Sequence, residues 1–139
     1  SPSRGLGDVY KRQVTDLYIN QLADGRLMHL NSWIDADGWT TDAYMLAVSY
    51  PEGGDPKNIS EMFVGHGSSV RSGNDVYFSS LSKLNAIAHS DKDSLKIEVT
   101  GQPRVNLSVK GNPKTLVVNG KDTTPRVENG MVNIKYREQ

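Results

Sequence analysis

Short stretches in which apolar and polar residues alternate, each closed by a Gly- or Asn-containing turn, run through the chain from Val14 onward. Leu17 and Ile19 alternate before Asp24-Gly25, and Leu27, His29 and Asn31, or Met28 and Leu30, alternate after it. A period of two puts such residues on one face of a strand, and Asp-Gly supplies the two left-handed residues of a tight hairpin turn. A first hairpin is predicted there. Trp33 and Ile34 lead into a second Asp-Gly turn at Asp37-Gly38. Tyr44, Leu46 and Val48 then alternate with Ala43, Met45 and Ala47, which predicts a strand buried on both faces and ended by Pro51-Glu52-Gly53-Gly54-Asp55-Pro56. Further strands are predicted over residues 60–64, 69–71 and 76–80, the last entered through Ser72-Gly73-Asn74-Asp75.

Residues 81–89 fit two periods. Leu81, Leu84 and Ala88 suit a helix face, whereas Leu84, Ala86 and Ala88 against Asn85 and Ile87 suit a strand. Strand is preferred because its neighbours are strands. Leu95, Ile97 and Val99 alternate next, then Val105, Leu107 and Val109, then residues 115–118 before Asn119-Gly120, and finally residues 126–128 and 131–136 around Asn129-Gly130. No strand is followed by a convincing crossover helix. The expected fold is all-β, an antiparallel β-sandwich of about ten short strands spaced roughly 8 to 12 residues apart.

Composition narrows the class. The 139 residues include 16 basic and 16 acidic side chains, 36% hydrophobic residues and no cysteine. Such a length holds one domain. Balanced charge argues against a nucleic-acid partner, which needs a basic patch to neutralise phosphates, and no apolar run approaches the roughly 20 residues of a membrane span. Without cysteine there is no disulfide framework, thiolate metal site or cysteine nucleophile. The opening Ser1-Pro2-Ser3-Arg4-Gly5-Leu6-Gly7-Asp8-Val9-Tyr10-Lys11-Arg12-Gln13 shows neither period and resembles translated adapter read-through from shotgun assemblies. Residues 1–13 are therefore set apart as non-native or disordered, and residues 14–139 are read as one β-domain, a fragment of a longer protein. Setting aside Arg4, Lys11, Arg12 and Asp8 leaves 13 basic and 15 acidic residues.

The densest chemistry lies in Trp33-Ile34-Asp35-Ala36-Asp37-Gly38-Trp39-Thr40-Thr41-Asp42, which holds both tryptophans and three carboxylates. As an EF-hand with Asp37 fifth and Gly38 sixth it fails, because Trp33 and Tyr44 fall where carboxylates are required. A looser calcium site on Asp35 and Asp37, with Asp42 beside them, is the metal candidate; no other cofactor is expected. As a substrate-binding platform, Trp33, Trp39 and Tyr44 would stack on sugar rings while Asp35, Asp37 and Asp42 accept from sugar hydroxyls. The plainer alternative is a tight turn with aspartates at its corners and both tryptophans packed on the sheet. Asp35 and Asp37 have the i, i+2 spacing of a strand face, but a turn does not hold them in the geometry of a glycosidase pair.

His29, His66 and His89 form no metal-binding spacing. His66 is the remote catalytic candidate, since imidazole can act as the base of a lyase. However, Gly65-His66-Gly67-Ser68-Ser69 places histidine where a nucleophile elbow needs serine, so a turn with positive φ at the glycines is expected. Asn58-Ile59-Ser60 and Asn106-Leu107-Ser108 are formal glycosylation sequons.

The segments Leu95-Lys96-Ile97-Glu98-Val99, Val105-Asn106-Leu107-Ser108-Val109-Lys110, Thr115-Leu116-Val117-Val118-Asn119-Gly120-Lys121 and Glu128-Asn129-Gly130-Met131-Val132-Asn133-Ile134 together resemble the closing β-sandwich of large polysaccharide-degrading enzymes, such as heparinase II/III-type lyases and several glycosidase families. Residues 15–48 with Glu61-Met62-Phe63-Val64 are similar to the sheet that precedes such an ending. The resemblance rests on turn chemistry and carries over no catalytic residue. It implies an ancillary C-terminal domain of an exported bacterial carbohydrate-active enzyme, secreted or periplasmic, packed on a missing N-terminal catalytic module and contacting polysaccharide. Two alternatives stay open. The sheet could border the active site and lend His66 or a residue of the 35–42 loop to lyase or hydrolase chemistry, or the chain could be a structural, adhesin-like surface domain. A fragment should also expose a contiguous apolar patch on one sheet face.

Overall fold

The computed structural model describes residues 12–21, 26–29, 37–101 and 104–137. It is all-β, with no helix among the described residues. In chain order the strands are β1 Gln13–Gln21, β2 Arg26–His29, β3 Trp39–Thr41, β4 Met45–Pro51, β5 Glu61–Ser72, β6 Asp75–Asp91, β7 Ser94–Thr100, β8 Arg104–Lys110, β9 Thr115–Val118, β10 Lys121–Thr123, β11 Val127–Glu128 and β12 Met131–Arg137. Residue Gln13 already pairs with Pro51, so the sheet begins one residue before the boundary expected at Val14.

One open sheet is built around β5 and β6, and each of these offers its free edge to two strands in succession. Strand β5 pairs with β4 over residues 61–65 and with β3 over 70–72. Strand β6 pairs with β7 over residues 85–91 and with β8 over 78–80. Beyond β4 lie β1 and β2, beyond β7 lie β9 and β10, and beyond β8 lie β12 and β11. The separate strands expected at 60–64 and 69–71 are thus the two ends of β5, and those at 76–80 and 81–89 are the two ends of β6. The Asn-Gly turns behave as expected: Asn119 and Gly120 have φ of 48° and 80°, and Asn129 and Gly130 have 53° and 74°, closing the β9–β10 and β11–β12 hairpins.

The sheet is mixed, which corrects the purely antiparallel expectation. Strands β7 and β9 run parallel, from Ser94 opposite Thr115 to Ile97 opposite Val118. The cause is a crease in the sheet. Val109, beside Phe78 near one end of β6, lines the same cavity as Leu95, beside Ser90 near the other. Residues 111–114 therefore suffice to carry the chain from the end of β8 to the start of β7, and β9 leaves in the direction of β7. Alternation over four residues is identical in either orientation and carries no signal of this.

The middle of the sheet is creased by three register irregularities between β5 and β6, between Val64 and Gly67, between Gly67 and Ser69, and between Val70 and Arg71. Bulges of this kind bend a strand and re-aim its side chains. At the last of them Val70 faces Phe78 while Arg71 faces Val76, which leaves Tyr77 as the extra residue. Tyr77 and Phe78 are consequently both buried although they are adjacent.

One apolar core runs through both ends of the creased sheet. It includes Tyr18, Leu46, Val48, Val64, Val70, Phe78, Leu84, Ile97, Leu107 and Ile134, each at most 2% exposed. Strand β4 is not buried on both faces as its sequence suggests: Leu46 and Val48 are inside, but Met45 is 36% exposed. Met45 lies opposite Ile19, and along the next row Ala47, Phe63 and Ile87 lie side by side. Ile19 and Ile87 are likewise open on this outer face.

Candidate functional site

The crease is held by the connection between β3 and β4. Thr41 donates its hydroxyl to the Ser69 carbonyl at 2.6 Å and accepts from the Ala43 amide at 3.0 Å. Asp42 accepts from the Ser68 and Ser69 amides at 2.8 and 3.0 Å and from the Ser68 hydroxyl. These amides belong to the irregular stretch of β5, where the regular ladder is interrupted, so Asp42 replaces ladder acceptors. From β1, Asn20 donates its side-chain amide to the Ala43 carbonyl at 3.0 Å, and its backbone amide to the Tyr44 carbonyl at 3.0 Å.

Tyr44 emerges from this connection half exposed, at 50%. Its ring lies 5.0 Å from the His66 ring, tilted by 43°, and the Lys83 ammonium lies 5.9 Å from its centroid. His66 is exposed, and it takes the positive φ of 55° itself, rather than the flanking glycines. Its amide donates to the Asn85 side chain at 2.8 Å. Gly67 serves closeness instead: a Cβ there would stand 2.5 Å from the Ala43 Cβ. Leu81, in the stretch of β6 that crosses the crease, is 86% exposed. An aromatic face, an imidazole and an ammonium therefore share one rigid, open surface. Among the described residues no carboxylate or hydroxyl hydrogen-bonds to the His66 ring, whose ring neighbour is Tyr44.

The other predicted residues are dispersed. Trp33 and Asp35 lie outside the described residues, as does the Asp24-Gly25 turn. Trp39 is 4% exposed, meets the Tyr77 ring edge-on at 4.7 Å and has the Lys57 ammonium 4.2 Å from its ring centroid. It is a core residue whose ring lacks an open stacking face. Asp37 accepts from the Tyr18 hydroxyl at 2.9 Å, and its carbonyl accepts from Lys57. Burial pulls the Lys57 ammonium below its usual range, against the opposing pull of Asp37, Asp16 and Asp55. Asp37 and Asp42 thus answer protein donors, and the cation beside Asp37 is Lys57. Among the described residues no group of three or more His, Asp or Glu side chains is placed to hold a metal. His89 pairs with Glu61 at 3.3 Å across β5 and β6. No described helix is long and apolar enough to cross a membrane.

Burial pushes the Asp42 carboxyl up, but the hydrogen bonds from Ser68 and Ser69, aided by the Lys83 charge, outweigh that and hold it below its ordinary value of 3.8. Asp42→Ala is expected to destabilise the fold by about 2 kcal/mol, the scale for hydrogen bonds to a charged acceptor. The sign with pH follows from the lowered folded value. Stabilisation by Asp42 is complete above the ordinary value and is lost as pH falls through the folded one. Urea midpoints between pH 2 and 7 should show a weaker acid dependence in Asp42→Asn; an unchanged profile would contradict this role. No protein-family model matches the chain, and no curated protein matches it.

Proposed function

We propose that this chain is an ancillary, sandwich-like β-module of an exported carbohydrate-active protein that touches glycan at the crease and rests on a neighbouring module. The observation that carries the reading is the half-exposed Tyr44 ring, fixed beside His66 and Lys83 on a backbone tied down by Asp42 and Asn20. A flat aromatic face presents the stacking surface that a pyranose ring needs, and a rigid support limits the entropy lost on binding. The ammonium and imidazole add donors for hydroxyl or carboxylate groups of the sugar. Trp39 drops out of the platform because it is buried. The apolar positions Ile19, Met45 and Ile87 on the outer sheet face support contact with a second module, since apolar side chains gathered on a surface mark interaction sites.

Affinity electrophoresis through gels containing neutral or uronate-bearing polysaccharides tests the glycan contact. The protein is expected to be retarded by at least one of them, and Tyr44→Ala to weaken that binding about tenfold, the equivalent of a stacking contact near 1.4 kcal/mol. Tyr44 is exposed, so circular dichroism of the variant should match the parent. Equal mobility of parent and variant in every gel would remove the glycan contact and leave a structural surface domain.

A further inference from the structure

We infer that the cavity between the two halves of the creased sheet is a second binding site, for a small amphipathic monocarboxylate with an apolar body and one anionic head. The cavity holds about 450 Å³, within the range of pockets that admit small molecules. Met62, Ala88 and Leu95 line it from one side of the crease, Tyr77 and Val109 from the other. Each of the five is at most 5% exposed, and they form the apolar floor of a cavity that is half open to solvent and is also lined by Asn58, Ser60 and Ser90. A hydrated inorganic ion would leave that floor unsatisfied, whereas an alkyl or aryl body would cover it.

Charge at the mouth selects the head group. Lys57, Lys92 and Lys110 line the cavity together with one acid, Glu61. Consecutive strand residues point to opposite faces, so Glu61 is directed away from the face of Met62, and its carboxylate pairs with His89 there. Lys110 lies 4.4 Å from the centroid of the Tyr77 ring and 3.8 Å from the Asp75 carboxylate, a long and exposed pair that leaves its charge largely available. Lys57 is engaged by the Asp37 carbonyl and the Trp39 ring, and contributes field rather than direct contact. Lys92, in the β6–β7 turn, has no ion-pair partner among the described residues. Lys92 and Lys110 are therefore the groups placed to meet a carboxylate whose tail lies on Met62, Leu95 and Tyr77. This site is separate from Tyr44 and does not depend on the glycan reading.

Decanoate is the probe, with decanol and decyltrimethylammonium as neutral and cationic controls, and the Met62 and Ala88 methyl signals of the full chain as the readout. Decanoate is expected to shift both signals saturably with one-to-one stoichiometry, decanol to bind about tenfold more weakly, and the cation not at all. Lys92→Ala with Lys110→Ala should weaken decanoate about tenfold and leave decanol unchanged. Ser90→Phe, placed at the mouth, should abolish binding of both. The assignment is overturned if decanoate leaves the two methyls unmoved, if the cation binds as tightly as decanoate, or if the double lysine variant binds decanoate like the parent. The lysine variant decides the matter even if Ser90→Phe does not fold.

Discussion

Gly67→Ala should destabilise the protein by about 3 kcal/mol, the upper end of what an added core methyl costs. The new Cβ would stand 2.5 Å from the Ala43 Cβ, 2.8 Å from the Ala43 Cα and 3.0 Å from a Val64 methyl. Two of these are below any real carbon–carbon approach, and one is to backbone. Ala43 cannot retreat: it is fully buried, its amide donates to the Thr41 hydroxyl, and its carbonyl accepts from the Asn20 side chain. Relief must therefore come from opening β5 away from the β3–β4 connection, which displaces Tyr44 as well. Urea unfolding should show a lower midpoint at unchanged slope. Adding Ala43→Gly should recover part of the loss, since it removes the methyl that the new side chain strikes first and leaves the backbone behind it in place. A Gly67→Ala midpoint equal to the parent's would show that the two segments are not packed this closely.

That glycine illustrates why the crease was hidden in the sequence. The strands were legible wherever alternation was clean, as in Leu95, Ile97 and Val99, all buried, between exposed Lys96 and Glu98. The Asn-Gly hairpins were legible because their chemistry is local. Where β5 and β6 cross the crease, the alternation breaks, and a broken period reads as the end of one strand and the start of another. Gly65-His66-Gly67 looked like a turn for the same reason, although the chain passes through it as a bulge within β5. Pairing of β7 with β9 depends on the crease bringing the end of β8 back beside the start of β7, a tertiary fact with no local signature.

The candidate site divides along the same line. Tyr44, Asp42 and His66 stood out as residue types, and the fold does gather them at the crease. Their roles were not readable, because each depends on partners distant in sequence. Asp42 accepts from amides 26 and 27 residues away, and Tyr44 meets His66 only because the bulge brings β5 against the β3–β4 connection. Asn20 gave no sequence signal beyond a polar residue in a strand, yet it clamps the backbone that carries Tyr44. Trp39 misled in the opposite sense: next to Asp37-Gly38 it resembled an exposed platform, but it shares the face of Thr41 and so points into the core, where Tyr77 and Lys57 cover it. Whether a side chain is offered to a ligand or to the core depends on strand phase, and one irregular residue reverses that phase.

Alkaline pH should unfold the protein through Tyr18. Its ring is fully buried, and its hydroxyl donates to the Asp37 carboxylate at 2.9 Å. Burial, followed by the Asp37 hydrogen bond and charge, raises this phenol far above its ordinary value of 10. A raised folded value fixes the sign: stability from this group is complete below pH 10 and falls as pH rises toward the folded value, because the unfolded chain has released a proton that the native state keeps. The slope is about 1.4 kcal/mol per pH unit for this one group, so roughly 2.7 kcal/mol is gone by pH 12. Tyr18→Phe separates the two contributions of the hydroxyl. At pH 7 it loses a hydrogen bond to a charged acceptor and should be less stable by about 1.5 to 2 kcal/mol. It has no proton to surrender, so its alkaline limb should be shallower by one group. The two stability curves should therefore cross between about pH 11 and 11.5, with the phenylalanine variant the more stable above the crossing. Tyr77, also raised chiefly by burial, contributes equally to both proteins and cancels in the difference, whereas Tyr50 is coupled by charge to Tyr18 and shares its Asp37 and Asp16 neighbours. Curves that stay parallel to pH 12 would mean that the Tyr18 hydroxyl is not held as a neutral donor against Asp37, and that Asp37 relies on Lys57 for its place.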